Sequence, residues 1–407
     1  MTHRGHDADH PDHGTHHGTH HRTHHPLPGD ARTGETTGKD MGQAMSEAID
    51  VAMDVADPAD FLTNLPGLLG YYPCESLVLV FGDRDLDEPG PVLVRQLGDD
   101  DVDARAVRMA ADAMADEGHE RVDVYVIADS WAGTEQELER RFGYIESALE
   151  SADLRVVEFA GVRALRAGEQ VWSIDGFGIG TLGEPAASWA SGHLHCSGEA
   201  ISPDIDAMRE RFLPEPAACR ITAGEALRRA GGDVHGVRAG GLPGPAAMEQ
   251  VREFHLEWLA LVDAVDRGDV SVEDALGAPD HLRTLARPLV SLLLRDLTMC
   301  EILGPSADTV RVLWLGCGRL FRGSARSNAL ACYAIDRYLH GNASIAKAAL
   351  DAAVDTDPEH SLSNLLFAAM ASGRGDEALR SMLEATTAIL GEVHPGGHGD
   401  ADGPGPR

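Results

Sequence analysis

Lysine is almost missing from this chain: of 34 basic residues only Lys39 and Lys347 are lysine, and the rest are arginine. No GxxxxGK[ST] loop is present, and with lysine absent from the stretch 46–180 none can form there, which excludes a P-loop. HExxH helices and GxSxG elbows are also lacking. No basic run or aromatic–basic alternation interrupts a net charge of −32, built from 66 acids against 34 bases. Binding to nucleic acid through its phosphates needs clustered positive charge, so a nucleic-acid partner is excluded. No apolar run reaches membrane-spanning length and no signal-peptide pattern appears, so no membrane role is expected. The six cysteines, Cys74, Cys196, Cys219, Cys300, Cys317 and Cys332, are scattered without a CxxC pair and read as reduced thiols of a cytoplasmic protein.

What is present is length enough for two cores, at 407 residues. The chain is organised around DFLTNLPGLLGYYPCESLVLVFG at 60–82. Asp57-Pro58-Ala59-Asp60 supplies a helix start, with proline early and acids in the first turn. Phe61, Leu62, Leu65, Leu68 and Leu69 fall on one helical face, and Pro66-Gly67 predicts an interruption or early end. A loop holding Tyr71, Tyr72, Cys74, Glu75 and Ser76 leads into residues 77–81, apolar throughout, which predicts a strand buried on both faces.

Leu68, Leu69, Gly70, Tyr72, Pro73, Glu75, Ser76, Leu77 and Val78 resemble the opening signature of a family found mainly in actinobacteria, domain of unknown function 4192. Glu75 stands where that signature usually has Asp. The resemblance resumes at Leu294-Arg295-Asp296 and over 339–366, including Gly341, Ala346, Asp357-Pro358 and Ser361-Leu362, and so covers about 50–390. The middle departs from the family pattern, an Arg-Trp-x-Ser-Tyr segment followed by a cysteine pair. Here Gln170-Val171-Trp172-Ser173-Ile174 is followed by Asp175-Gly176-Phe177-Gly178, with no cysteines. The family has no established activity, so the resemblance implies a fold and no mechanism.

In chain order, residues 1–45 are low in apolar content and predict a disordered tail. That tail holds ten histidines within its first 26 residues. His16, His17, His20, His21, His24 and His25 form its densest part, where neutral imidazoles suit Zn²⁺ or Ni²⁺. Residues 46–180 predict a mixed α/β domain. Two apolar strands flank GDRDLDEPG as an antiparallel hairpin, and helices at 99–117 and 134–152 alternate with strands at 121–128, 154–160 and 170–174. Gly176-Phe177-Gly178-Ile179-Gly180 reads as a loop. Residues 181–244 predict an irregular linker region with short helices at 204–212 and 222–230, ending at the Gly-Pro break 240–245.

From 245 to 390 the pattern is all helical, with segments at 246–267, 270–276, 279–303, 307–321, 325–340, 344–356, 361–372 and 376–390. A Gly-Pro-rich disordered tail follows at 391–407. Ala334, Gly341, Ala346, Leu350, Ala353 and Asp357-Pro358 match a tetratricopeptide repeat, and Ala334/Ala368 and Gly341/Gly375 stand one repeat apart, about 34 residues. The fold expectation is therefore a mixed sheet with packed helices, followed by an all-helical domain with tetratricopeptide-like hairpins.

Three chemistries remain. Tyr72, Glu75 and Ser76 at the entry of the central strand, with Arg95 from the neighbouring strand, predict a small polar-ligand site at the sheet edge, which would suit an enzyme or sensor. His193, His195 and Cys196 form the one compact ligand cluster inside the folded region and could supply zinc ligands. Paired helices of repeat type present a groove to a protein partner. With no catalytic constellation and no cofactor motif, the leading expectation is a non-enzymatic interaction or regulatory protein. Metal buffering or delivery through the histidine tail is an alternative.

Overall fold

A computed structural model describes residues 57–82, 90–98, 100–132, 135–235, 244–371 and 374–393, all within one compact unit, Ile49–Arg407. The tail histidines 16–25, the hairpin loop 83–89 and the Gly-Pro break at 236–243 lie outside the described residues.

Helix α1 (Pro58–Leu69) opens with the Asp57 side chain accepting from Ala59 N–H at 2.9 Å. It buries Phe61, Leu62, Leu65 and Leu69. It does not stop at Pro66-Gly67. Pro66 forfeits one helical hydrogen bond, and Gly67 serves a close crossing instead: a Cβ there would stand 2.2 Å from the backbone nitrogen of Ser191. The helix ends one turn later, where Gly70 adopts φ +76° and its N–H donates to Pro66 O at 2.8 Å.

The strands are β1 (Ser76–Gly82), β2 (Val92–Gln96), β3 (Arg121–Ile127), β4 (Arg155–Val162), β5 (Gln170–Ser173) and β6 (Gly178–Thr181). They form one mixed sheet in the order β2-β1-β3-β4-β5-β6. The β1–β2 hairpin is antiparallel, and β3 and β4 are parallel, joined by α3 (Glu135–Glu150). The glycine-rich stretch expected as a loop is strand β6, which turns back on β5. Central β1 is buried at every residue because both its faces are covered. On one face Leu77, Leu79, Phe81, Val122, Val124 and Val126 pack beneath α2 (Asp100–Asp116) and α3. On the other, Val78, Val80, Tyr125 and Ile127 meet α1, with Phe61 stacked on Tyr125 at 4.7 Å.

That second face is continuous with the helical part. A single apolar cluster joins Phe61 and Val78 to Trp258, Leu285, Trp314, Tyr333 and Leu350. Between sheet and helices run α4 (Trp189–Cys196), α5 (Ile205–Glu210) and α6 (Arg220–Asp233). Then come α7 (Pro245–Asp266), α8 (Val272–Gly277), α9 (Pro279–Val290), α10 (Leu292–Met299), α11 (Ala307–Leu320), α12 (Gly323–Leu339), α13 (Ala343–Thr356), α14 (Ser361–Ala371) and α15 (Gly375–Val393). The apolar run 279–303, expected as one helix, is broken at Ser291. That residue is extended (φ −131°, ψ 116°) and caps α10, just after Pro288 in the last turn of α9. Among the described residues no helix is long and apolar enough to cross a membrane.

Candidate functional site

Three elements each turn one face into a cleft of about 260 Å³ beside the loop 71–76. Strand β2 contributes Val92, Val94 and Gln96, alternate residues from one side of the strand, together with Leu93 between them. Helix α13 contributes Ser344, Lys347, Ala348 and Asp351, spaced i, i+3, i+4, i+7 and therefore one helical stripe. Helix α5 contributes Ile205 and Arg209, one turn apart. The loop is pinned beside α5 by main-chain bonds, Tyr72 N–H to Ser202 O (3.1 Å) and Ser202 N–H to Gly70 O (2.8 Å). Ile345 of α13 packs on Gly70, where a Cβ would sit 2.9 Å from its Cδ1.

Of the four residues expected at this sheet edge, the structure brings two to the cleft. Tyr72 and Ser76 line it, with the Ser76 hydroxyl donating to Cys74 O at 2.8 Å and tightening the loop. Glu75 has φ +43°, and its carboxylate turns away to accept from Asp129 N–H at 2.9 Å, seating the short turn after β3. Arg95 stands opposite Leu77 in the β1–β2 register, on the sheet face away from Val78 and Val94. Arg209, Lys347, Asp351 and Gln96 join the site without having been singled out from the sequence. The α13 stripe, holding one of only two lysines, was the signal available.

The electrostatics of the cleft are those of a donor surface. Lys347 Nζ lies 2.9 Å from Asp351 and 5.2 Å from the centroid of the Phe367 ring. Arg209 pairs with Asp206 at 3.2 Å, both largely in water. Burial pushes the Tyr71 phenol up to about 12, against the pull of Arg209. Burial and the Glu184 carboxylate also raise Tyr72. Both phenols are thus neutral donors near pH 7. Among the described residues no histidine lines the cleft beside the exposed Cys74 thiol.

His193, His195 and Cys196 fall on α4, a helix where a loop was expected. His193 stacks on Trp189 at 5.5 Å, and Cys196 is exposed. Among the described residues no group of three or more His, Cys, Asp or Glu is placed to hold a metal ion. A hollow larger than the cleft, about 860 Å³, opens at the far end of β3 and β4 between Asp116, His119 and Asp153. It is walled by the charged ends of α2 and α3 and lacks the convergence of separate faces seen at the cleft.

A second polar cluster is buried and bonded to itself. Glu199 accepts from Tyr333 (2.9 Å) and Arg337 (3.4 Å) and pairs with Arg211. Arg337 also meets Asp336 and Ser197 O. Arg295 bonds Asp296 and Asn328, joining α10 to α12. These ties hold the helices together.

A mixed sheet sharing one core with a helical array, and a cleft where its edge meets that array, define a two-part α/β-plus-helical protein. The chain belongs to the family described as Domain of unknown function (DUF4192), whose model matches residues 58–376. No curated protein and no solved structure matches it.

Proposed function

We propose that this is a non-enzymatic interaction protein of the cytoplasm whose recognition surface is the cleft between β2, α5 and α13. One observation carries the reading: three elements far apart in sequence converge on a mainly apolar groove that holds two cations and one carboxylate, in a chain of net charge −32. The groove has walls and donors and lacks a paired nucleophile and base. That combination suits binding better than catalysis. The wall formed by α13 belongs to the α12–α13 hairpin, the same unit that matches a tetratricopeptide repeat in sequence, and this agrees with a protein partner. All six cysteines are free thiols, as suits a reducing compartment.

The test is purification of the full chain from its host on a tag other than polyhistidine, since the histidine run binds nickel by itself. Wild type and Lys347→Glu are compared by mass spectrometry. A stoichiometric protein partner that is present with wild type and lost with Lys347→Glu is the expected result. A bound metabolite with no protein partner would make the same cleft a small-molecule site. A partner indifferent to Lys347→Glu removes the cleft from the interface.

A further inference from the structure

The two edges of the sheet are treated differently. At the β6 edge the register slips opposite Trp172, the Gln170 side chain donates to Gly180 O, and Gly180 is pressed against Ala59 of α1. Slippage, a side-chain plug and a covering helix are the devices by which an edge is closed to further pairing. The β2 edge has none of them among the described residues. Its register with β1 runs unbroken over all five residues, no proline interrupts it, and its one charge, Arg95, is on the face away from the cleft.

The phase of the ladder says which backbone groups are open. Leu97 N–H donates to Glu75 O (2.6 Å) and Phe81 N–H to Pro91 O (3.0 Å), so those two pairs are hydrogen-bonded ones. In an antiparallel ladder such pairs alternate with non-bonded ones. The groups of Leu93 and Arg95 therefore face β1, and those of Val92, Val94 and Gln96 point outward. No described residue takes up these outward groups. The same three residues line the cleft, together with Ser344, Lys347 and Asp351 of α13. An exposed sheet edge with a pocket for alternate side chains beside it is the arrangement by which domains take up an extended chain as an added strand.

We propose that the cleft binds an extended peptide carrying an acidic side chain, added as a seventh strand along the free edge of β2. Main-chain bonds to Val92, Val94 and Gln96 supply affinity. Alternate peptide side chains fall on the face where Arg209 and Lys347 stand, two exposed cations each held by a single carboxylate of its own helix, and there an acid on the peptide can share them. This inference rests on the cleft being the recognition surface.

Random dodecapeptides displayed on phage and selected on the full chain test it. Enriched peptides should be poor in proline, should share an Asp or Glu at one position, and should bind Val94→Pro at least about tenfold more weakly than wild type. The Val94 N–H points outward, so proline there removes no bond to β1. If Val94→Pro unfolds, the same question goes to the ligand: N-methylation of alternate amides in one register should cost the same factor and in the other register little. No enrichment, or binding indifferent to Val94→Pro and to both methylation patterns, overturns the proposal. Peptides lost on Lys347→Glu but indifferent to Val94→Pro leave the cleft standing and remove strand addition. Self-association of the chain abolished by Val94→Pro, with no peptide selected, would assign the edge to a second copy and overturn it too.

Discussion

Helices α12 and α13 are consecutive and packed together, yet they use polar residues in opposite ways. α12 is buried nearly end to end and still carries Arg326, Ser327, Asn328, Tyr333, Asp336 and Arg337. Arg326 donates to Phe212 O (2.6 Å) and Thr356 Oγ1 (2.8 Å), Ser327 to Ala353 O (2.8 Å), and Asn328 to Leu289 O (3.0 Å). α13 buries only apolar residues, Ile345, Ala346, Ala348, Ala349, Leu350 and Ala353, and turns Ser344, Lys347 and Asp351 to the cleft. A charge inside a protein is tolerated only with partners, so the dense polarity of α12 reports assembly. The sparse polarity of α13 is the part still available to another molecule.

The largest effect should come from breaking the α12 side of this contrast. Glu199, 5 % exposed, is shared by Tyr333, Arg337 and Arg211. Glu199→Ala removes the carboxylate partner of Arg211 and leaves buried Arg337 with Asp336 and Ser197 O, and should cost about 3 kcal/mol in urea unfolding, the lower end of the range for removing one partner of a buried ion pair. A loss below about 1 kcal/mol would mean that water reaches this cluster and that the segment after α4 is held by packing alone.

A smaller effect is expected in pH. The His360 imidazole accepts at Nδ1 from Ser363 N–H (3.3 Å) and meets Asn328 Oδ1 of α12 through Nε2 (2.9 Å). Burial holds its pKa below the ordinary value, Arg295 pushes the same way, and Asp357 opposes them. A base whose folded pKa is depressed is stabilising as the neutral form. Its contribution is whole above the unfolded value of about 6.5 and is lost as pH falls through that value toward the folded one. Wild-type stability should therefore decline below about pH 6.5 by a step that His360→Gln lacks. Parallel curves for the two proteins would show that His360 does not titrate on unfolding.

How much of this was legible before the structure follows from the same distinction. Helices with a clear apolar stripe and a start or stop signal, such as α7 and α11 to α14, fall within about two residues of their expected bounds. The misses are local. Gly-Ile-Gly-Thr in β6 has too few side chains to show alternation, and WASGHLHC in α4 mixes glycine and histidine without periodicity. Pro66-Gly67 reads as a helix stop because sequence alone cannot show that α4 crosses at Gly67. At the site, Tyr72 and Ser76 were visible because they flank a continuous apolar strand. Arg209 and Lys347 were not, because nothing local links either to residue 72; the Tyr72–Ser202 bond and the packing of Ile345 on Gly70 bring them there. Arg95 was misplaced by proximity alone: β2 does neighbour β1, but strand alternation puts residue 95 on the other face.

The smallest stability effect belongs to the cleft and gives the comparison its sharpest form. Lys347 is more than half exposed, paired with Asp351 one turn along α13 and set over the Phe367 ring. A helix-surface pair of this kind contributes about 0.3–0.5 kcal/mol. Lys347→Ala should accordingly shift the unfolding midpoint by less than about 2 °C, where Glu199→Ala shifts it by many times more. On binding the order reverses: Lys347→Ala should weaken a selected acidic peptide several-fold, while a second-site change that stabilises the α12 cluster should leave the same peptide's affinity alone. Both measurements on one set of variants separate a residue kept for the fold from one kept for a partner. A Lys347→Ala protein that lost stability as heavily as Glu199→Ala would show α13 to be part of the scaffold, with the cleft a gap in its packing.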